Sequence, residues 1–185
     1  MILFRCLAWD KAASPRARGG PLWFPRMLQG DGRHDNPILY GCLYASAEPV
    51  SAVAEQLDRL AGTFLEPTDL IRRGLLLALT AIAVDDEVAF LDLDDPAVLE
   101  REGLRPSRVA THDRSVTQAG AAELFTRHED IAGIRWWSTF EALWANVTVF
   151  DRAEELLSVE DVHPLGLGDE VVVEAADYLG LPIST

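Results

Sequence analysis

Cysteine is scarce in this 185-residue chain: only Cys6 and Cys42 are present. That excludes a disulfide-stapled miniprotein and fits reduced thiols in a cytoplasm, with a single disulfide left open. Long apolar runs are missing too. The longest, Leu75–Val84, lies between Arg73-Gly74 and Asp85-Asp86 and has about half the length a membrane-spanning helix needs, so it reads as an interior strand or buried helix. The opening stretch, Met1 to Asp10, is broken by Arg5 and Asp10, and no export signal is expected. The phosphate loop, G-x-G-x-x-G, H-E-x-x-H, G-x-S-x-G and C-x-x-C signatures are all absent. Four histidines (His34, His112, His128, His163) stand far apart, so no metal site is expected.

Positive charge is also in short supply. Sixteen basic residues face 30 acidic ones for a net charge of −14, which disfavours direct nucleic-acid binding and attachment to an anionic membrane. The charge is uneven. The first fifty residues carry Arg5, Lys11, Arg16, Arg18, Arg26 and Arg33 against four carboxylates. From residue 151 onward, Arg152 stands against nine. A small anionic ligand is therefore sought in the N-terminal part, and a basic protein partner in the C-terminal part.

What is present is an ordinary globular composition, 49% apolar and 25% charged, enough for one core and a single domain over residues 1–185. Residues 2–9 read as a strand in which Arg5 interrupts an apolar row. Residues 10–37 hold four prolines and four glycines and read as a long loop. A strand is expected over Ile38–Ala45, with Tyr40 and Tyr44 pointing the same way, then a helix over Pro49–Ala61 with a buried stripe of Val50, Val53, Ala54, Leu57, Leu60 and Ala61. Leu75–Val84 and Val88–Leu93 suggest a hairpin around Asp85-Asp86. Short helices are expected near Pro96–Glu102 and over Thr117–Arg127, strands at Ile131–Ser138 and Asn146–Phe150, and a strand or helix at Glu170–Leu179. Without regular βαβ alternation, the order favours an α+β fold of mixed, mainly antiparallel sheets with flanking helices.

Four places bear chemistry. In Gln29-Gly30-Asp31-Gly32-Arg33-His34-Asp35-Asn36-Pro37, two glycines permit tight turning and Arg33 offers a planar fork for phosphate oxygens. The plainer alternative is a surface loop whose arginine pairs with Asp31 or Asp35. Arg5 must find an anion or reach water to avoid a large desolvation cost, on an edge strand or in a structural pair if not at a ligand. Glu55 falls on the polar margin of its helix, where an i,i+4 pair with Arg59 is the ordinary role. Ser138, after Trp136 and Trp137, either ends a strand or serves a site.

Together these positions resemble the RES domain, a family named for its arginine, glutamate and serine. Arg5 lies on the first strand, and Gly32-Arg33 precedes Leu43-Tyr44-Ala45-Ser46. Ala54-Glu55 follows on the next helix, and Ser138 precedes Asn146 and Phe150. The resemblance covers a motif-bearing core of about residues 3–152, leaving an acidic C-terminal extension over 153–185. Cys6 and His34 stand where many members carry an aromatic residue. The resemblance implies an ADP-ribosyltransferase-like core and a cytoplasmic toxin that degrades NAD by hydrolysis or phosphorolysis at the nicotinamide–ribose bond. It also implies control by an Xre-type helix-turn-helix antitoxin. NAD is then substrate, with no separate cofactor or metal, and homo-oligomerisation is left open. Glu55, Arg33 and Ser138 are the implied catalytic residues, and Arg5, Arg33, Tyr44, Glu55 and Ser138 the implied NAD-binding set. A protein ADP-ribosyltransferase and a catalytically silent partner-binding module are the competing readings.

Overall fold

The computed structural model describes residues 1–85 and 87–184. The chain folds as two compact units, each assembled from separated segments: Met1, Phe24–Ala45 and Val84–Leu157 in the first, Ile2–Trp23, Ser46–Ala83 and Ser158–Thr185 in the second.

The first unit contains most of β2 (Cys42–Ser46), then β5 (Phe90–Asp92), α2 (Pro96–Glu102), α3 (Pro106–Val109), α4 (Arg114–Arg127), β6 (Gly133–Trp137) and β7 (Ala145–Phe150). Its strands lie in the order β2-β7-β6-β5. β6 and β7 are antiparallel, whereas β5 runs parallel to β6 with Leu91 opposite Ile134. Strand β7 is buried at every position, as expected of a strand covered on both faces. Tyr40, Cys42, Leu91, Leu99, Leu124, Ile134, Trp136 and Phe150 belong to one apolar core, and the rings of Tyr40, Phe125 and Phe150 meet at centroid separations of 4.4–5.0 Å. Helix α4 starts earlier than its apolar pattern indicates. The carboxylate of Asp113 accepts the cap bond from the Ser115 amide, satisfying an otherwise orphaned donor.

The second unit carries β1 (Ile2–Ala8), α1 (Pro49–Leu57), β3 (Ile71–Arg72), β4 (Leu75–Val84, save its last residue), β8 (Leu157–Pro164, save its first residue) and α5 (Glu170–Tyr178). Strands β3, β4 and β1 are neighbours in antiparallel register, with Arg5 opposite Thr80, and β8 pairs with β4. Helix α1 begins at Pro49, which needs no amide donor there, and buries Val50, Val53, Ala54 and Leu57 against β1 and α5. The acidic C-terminal residues thus contribute β8 and α5 to this unit. Among the described residues no helix is long and apolar enough to cross a membrane, and both cysteines are buried free thiols.

Three expectations need correction. β2 starts at Cys42, because Asn36–Tyr40 forms a turn closed by the Leu39 and Tyr40 amides on the Asn36 carbonyl, and Ile38 is 84% exposed. Residues 88–93 do not fold back on β4 as a hairpin; β5 finds its edge on β6, and Asp86 lies outside the described residues. Helix α1 gives way after Leu57 to a 3-10 turn over Asp58–Leu60, leaving Ala61 exposed.

Candidate functional site

In the first unit the segment Gly30–Asp35 is a tightly stapled turn. The Asp35 carboxylate accepts the Gly30 and Gly32 amides through Oδ2 at 2.8 and 2.7 Å, and the Tyr44 hydroxyl through Oδ1 at 2.6 Å. Having given its proton to Asp35, the Tyr44 oxygen accepts the His34 amide at 2.9 Å. Gln118 Nε2 reaches the carbonyls of Gly30 and Gly32, and Thr117 Oγ1 donates to the Arg33 carbonyl at 2.5 Å. Gly32 has no substitute here: a Cβ would lie 2.5 Å from both Asp35 Oδ1 and the Tyr44 oxygen.

Arg33 is 6% exposed, not a surface residue. Its guanidinium donates to the carbonyls of Thr111 at 2.6 Å and Val109 at 3.2 Å, and its Cζ lies 4.6 Å from the centre of the Trp136 ring. Asp35, the surface partner considered from sequence, spends its oxygens on the glycine amides and Tyr44.

His34 is buried with its Nδ1 2.8 Å from Thr148 Oγ1, which also accepts Trp136 Nε1–H at 3.2 Å. Burial first, then the nearby charges of Arg33 and Arg114, push the imidazole down to about 3, so it stays neutral. The ring borders a cavity of about 20 Å³ beside Thr117 and Gly120, room for about one water. A wider groove of about 420 Å³ is lined by Asp85, Glu87, Glu129, Asp130 and Arg152, a setting that repels anions. Neither is bordered by the expected site residues.

Tyr44, half-buried on β2, sends its hydroxyl to Asp35, and burial raises that hydroxyl well above the ordinary tyrosine value. Ser138 directly follows β6: its amide donates to the Trp144 carbonyl at 2.7 Å and its Oγ accepts the Phe140 amide at 3.1 Å. Of the expected residues, Arg33 and Tyr44 are thus joined through the Gly32–Asp35 turn.

In the second unit, Arg5 projects from β1, and its guanidinium donates to the carbonyls of Pro21 at 2.6 Å and Trp23 at 3.2 Å. These are neutral acceptors, and no carboxylate forms an ion pair with Arg5 among the described residues. Desolvation lowers the guanidinium from 12.5 to about 10, opposed by the neighbouring Cys6. Beside it in register, the Thr80 hydroxyl is fully buried and has no hydrogen-bond partner among the described residues. Glu55 stands exposed on α1, as its place at the edge of the apolar stripe indicates.

Asp35 is the organising residue that sequence reasoning passed over as one more turn carboxylate. Its signal was local: an aspartate three residues after a glycine in a Gly-x-Gly turn can gather backbone amides. Among the described residues no group of three or more His, Cys, Asp or Glu side chains is placed to hold a metal.

No curated protein matches the chain. Among solved structures, it is similar to a chain of the M. tuberculosis MbcT–MbcA toxin–antitoxin complex, at 20% identity and a TM-score of 0.59, over 97% of this chain and 87% of that one. The likeness gives this protein the α+β fold of that chain, the class expected from the order of its elements. The model of the RES domain matches residues 3–169, nearly the whole length, and the chain belongs to the RES domain family.

Proposed function

We propose that this protein is a toxin that destroys NAD at the nicotinamide–ribose bond and is held in check by an antitoxin of the Xre helix-turn-helix type. Family membership and the fold shared with a chain of a toxin–antitoxin complex support the reading. The observation that carries it is Arg5, a desolvated cation whose partners are neutral carbonyls. Such a group is poised to take an anion, and a dinucleotide pyrophosphate is one.

In the reaction, the bond from ribose C1′ to the nicotinamide nitrogen breaks with its electron pair leaving on nicotinamide, and the sugar develops oxocarbenium character. An oxygen of water or phosphate then bonds to C1′ and gives ADP-ribose or its 1-phosphate, with release of the nucleophile's proton. The Glu55 carboxylate faces the developing positive charge, Arg5 and Arg33 position pyrophosphate or carboxamide, and the Tyr44 ring packs on the nicotinamide or ribose. Ser138 spends its hydroxyl proton on orienting Glu55 or the ligand.

Purified protein incubated with NAD, with and without phosphate, is expected to release nicotinamide, and the second product identifies the acceptor. Glu55→Gln should abolish NAD loss while leaving the fold intact. Full activity in that variant, or no NAD loss with the unmodified protein freed of its antitoxin, overturns the proposal. Label from NAD appearing on an acceptor protein would instead make it an ADP-ribosyltransferase.

A further inference from the structure

We propose that Asp35 is a positioning residue of this site, fixing the turn on which Arg33 and Tyr44 depend. The inference rests on the NAD reading above.

The argument is one of hydrogen-bond supply. Asp35 is 6% exposed, and a buried carboxylate is costly unless donors surround it. It receives three: two glycine amides and a tyrosine hydroxyl. The amides bend residues 30–35 back on themselves. The hydroxyl ties that bend to β2, and the same oxygen holds the amide of His34, the residue after Arg33. One carboxylate therefore sets the turn, the direction of the Tyr44 ring and the peptide following Arg33.

Nothing else in the turn can replace it. Gln118 and Thr117 bond carbonyls of Gly30, Gly32 and Arg33, whereas Asp35 takes the Gly30 and Gly32 amides. The missing Cβ at Gly32 leaves the space in which the Asp35–Tyr44 bond forms. Asparagine keeps the shape but presents an NH2 donor in place of one oxygen: with its oxygen on the two glycine amides, its NH2 faces the Tyr44 oxygen, and the charge-assisted bond from the Tyr44 hydroxyl is lost. Asp35 itself need touch no reacting atom. Loosening the turn weakens the hold on NAD in ground and transition states alike, which raises KM and leaves kcat nearly unchanged.

The test compares the full-length protein with Asp35→Asn, Asp35→Ala and the core variant Val149→Ala, at a temperature where all are folded. Asp35→Asn is expected to raise KM for NAD about tenfold with kcat within about threefold, the size of one hydrogen bond to a charged group. Asp35→Ala should raise KM further, while Val149→Ala leaves it unmoved. Amide exchange read by NMR supplies a measure independent of activity: the Gly30 and Gly32 amides should be protected in the unmodified protein and exchange faster in Asp35→Ala. If the unmodified protein consumes NAD but Asp35→Asn keeps its KM, or loses kcat alone, Asp35 is not a positioning residue. Unprotected glycine amides in the unmodified protein overturn the inference equally. Absence of NAD turnover in a protein whose glycine amides are protected by Asp35 refutes instead the NAD reading on which this rests.

Discussion

Arg5→Met probes the half-buried, desolvated cation of β1 most directly. A shift from 12.5 to about 10 corresponds to a desolvation cost of about 3 kcal/mol at roughly 1.4 kcal/mol per unit, and nearer about 2 kcal/mol once the part of the guanidinium that keeps water is allowed for. The two bonds to Pro21 and Trp23 return about 1.5–3 kcal/mol each. Methionine removes both sides and keeps the apolar stem, so a net loss of about 1–4 kcal/mol is expected in urea denaturation. The sign with pH is fixed: the folded state holds this proton less tightly than the unfolded state, so the cost is constant below about pH 10 and relieved only above it. Its contribution to the stability difference between variant and parent should therefore be flat from pH 5 to 9. Function should respond more strongly. Losing a charge-assisted anchor of about 1.5–3 kcal/mol raises KM for NAD at least about tenfold, and pyrophosphate should raise the melting temperature of the parent but not of the variant. A variant with unchanged NAD dependence and an unchanged pyrophosphate response would remove Arg5 from the site. A loss beyond about 4 kcal/mol would make it a structural post.

Two further outcomes concern stability. Burial works to raise the Glu102 carboxyl, but hydrogen bonds from His128, Arg101 and Arg127 outweigh it and hold it at about 2. Glu102→Gln should therefore cost about 2 kcal/mol near neutrality, the exposure of the arginines keeping the figure low. Because the folded value is depressed, that difference should fade as pH drops from about 4.5 toward 2, which acid-dependent chemical denaturation would show. Thr80→Val replaces a buried hydroxyl that lacks a partner among the described residues with a methyl of similar shape and should stabilise the protein by about 1 kcal/mol. A lower melting temperature for this variant would mean the hydroxyl is satisfied in solution.

Much of the fold was legible because its signals are local. The bounds of β4 and α2, and those of β1 and β7 to within one residue, follow from apolar runs, a proline at the first helical position and turn residues, and the exposure of Glu55 follows from counting 100° steps along α1. β8 escaped notice because Glu160, Asp161 and the other polar residues of Leu157–Pro164 leave no apolar run to read.

The sequence by itself determined the family, the α+β class and the place where the chain must turn tightly, since glycines and an arginine at fixed spacing carry that information wherever the rest of the chain goes. Tertiary structure alone decided that Arg33 is buried against the carbonyl of Thr111, 78 residues away, and that His34 meets Thr148, 114 residues away. It also decided that β5 runs parallel to β6 and that Asp35 gathers Tyr44 with the glycine amides. Periodicity records which face of an element is apolar, and carries no record of which distant carbonyl or hydroxyl will satisfy a buried donor.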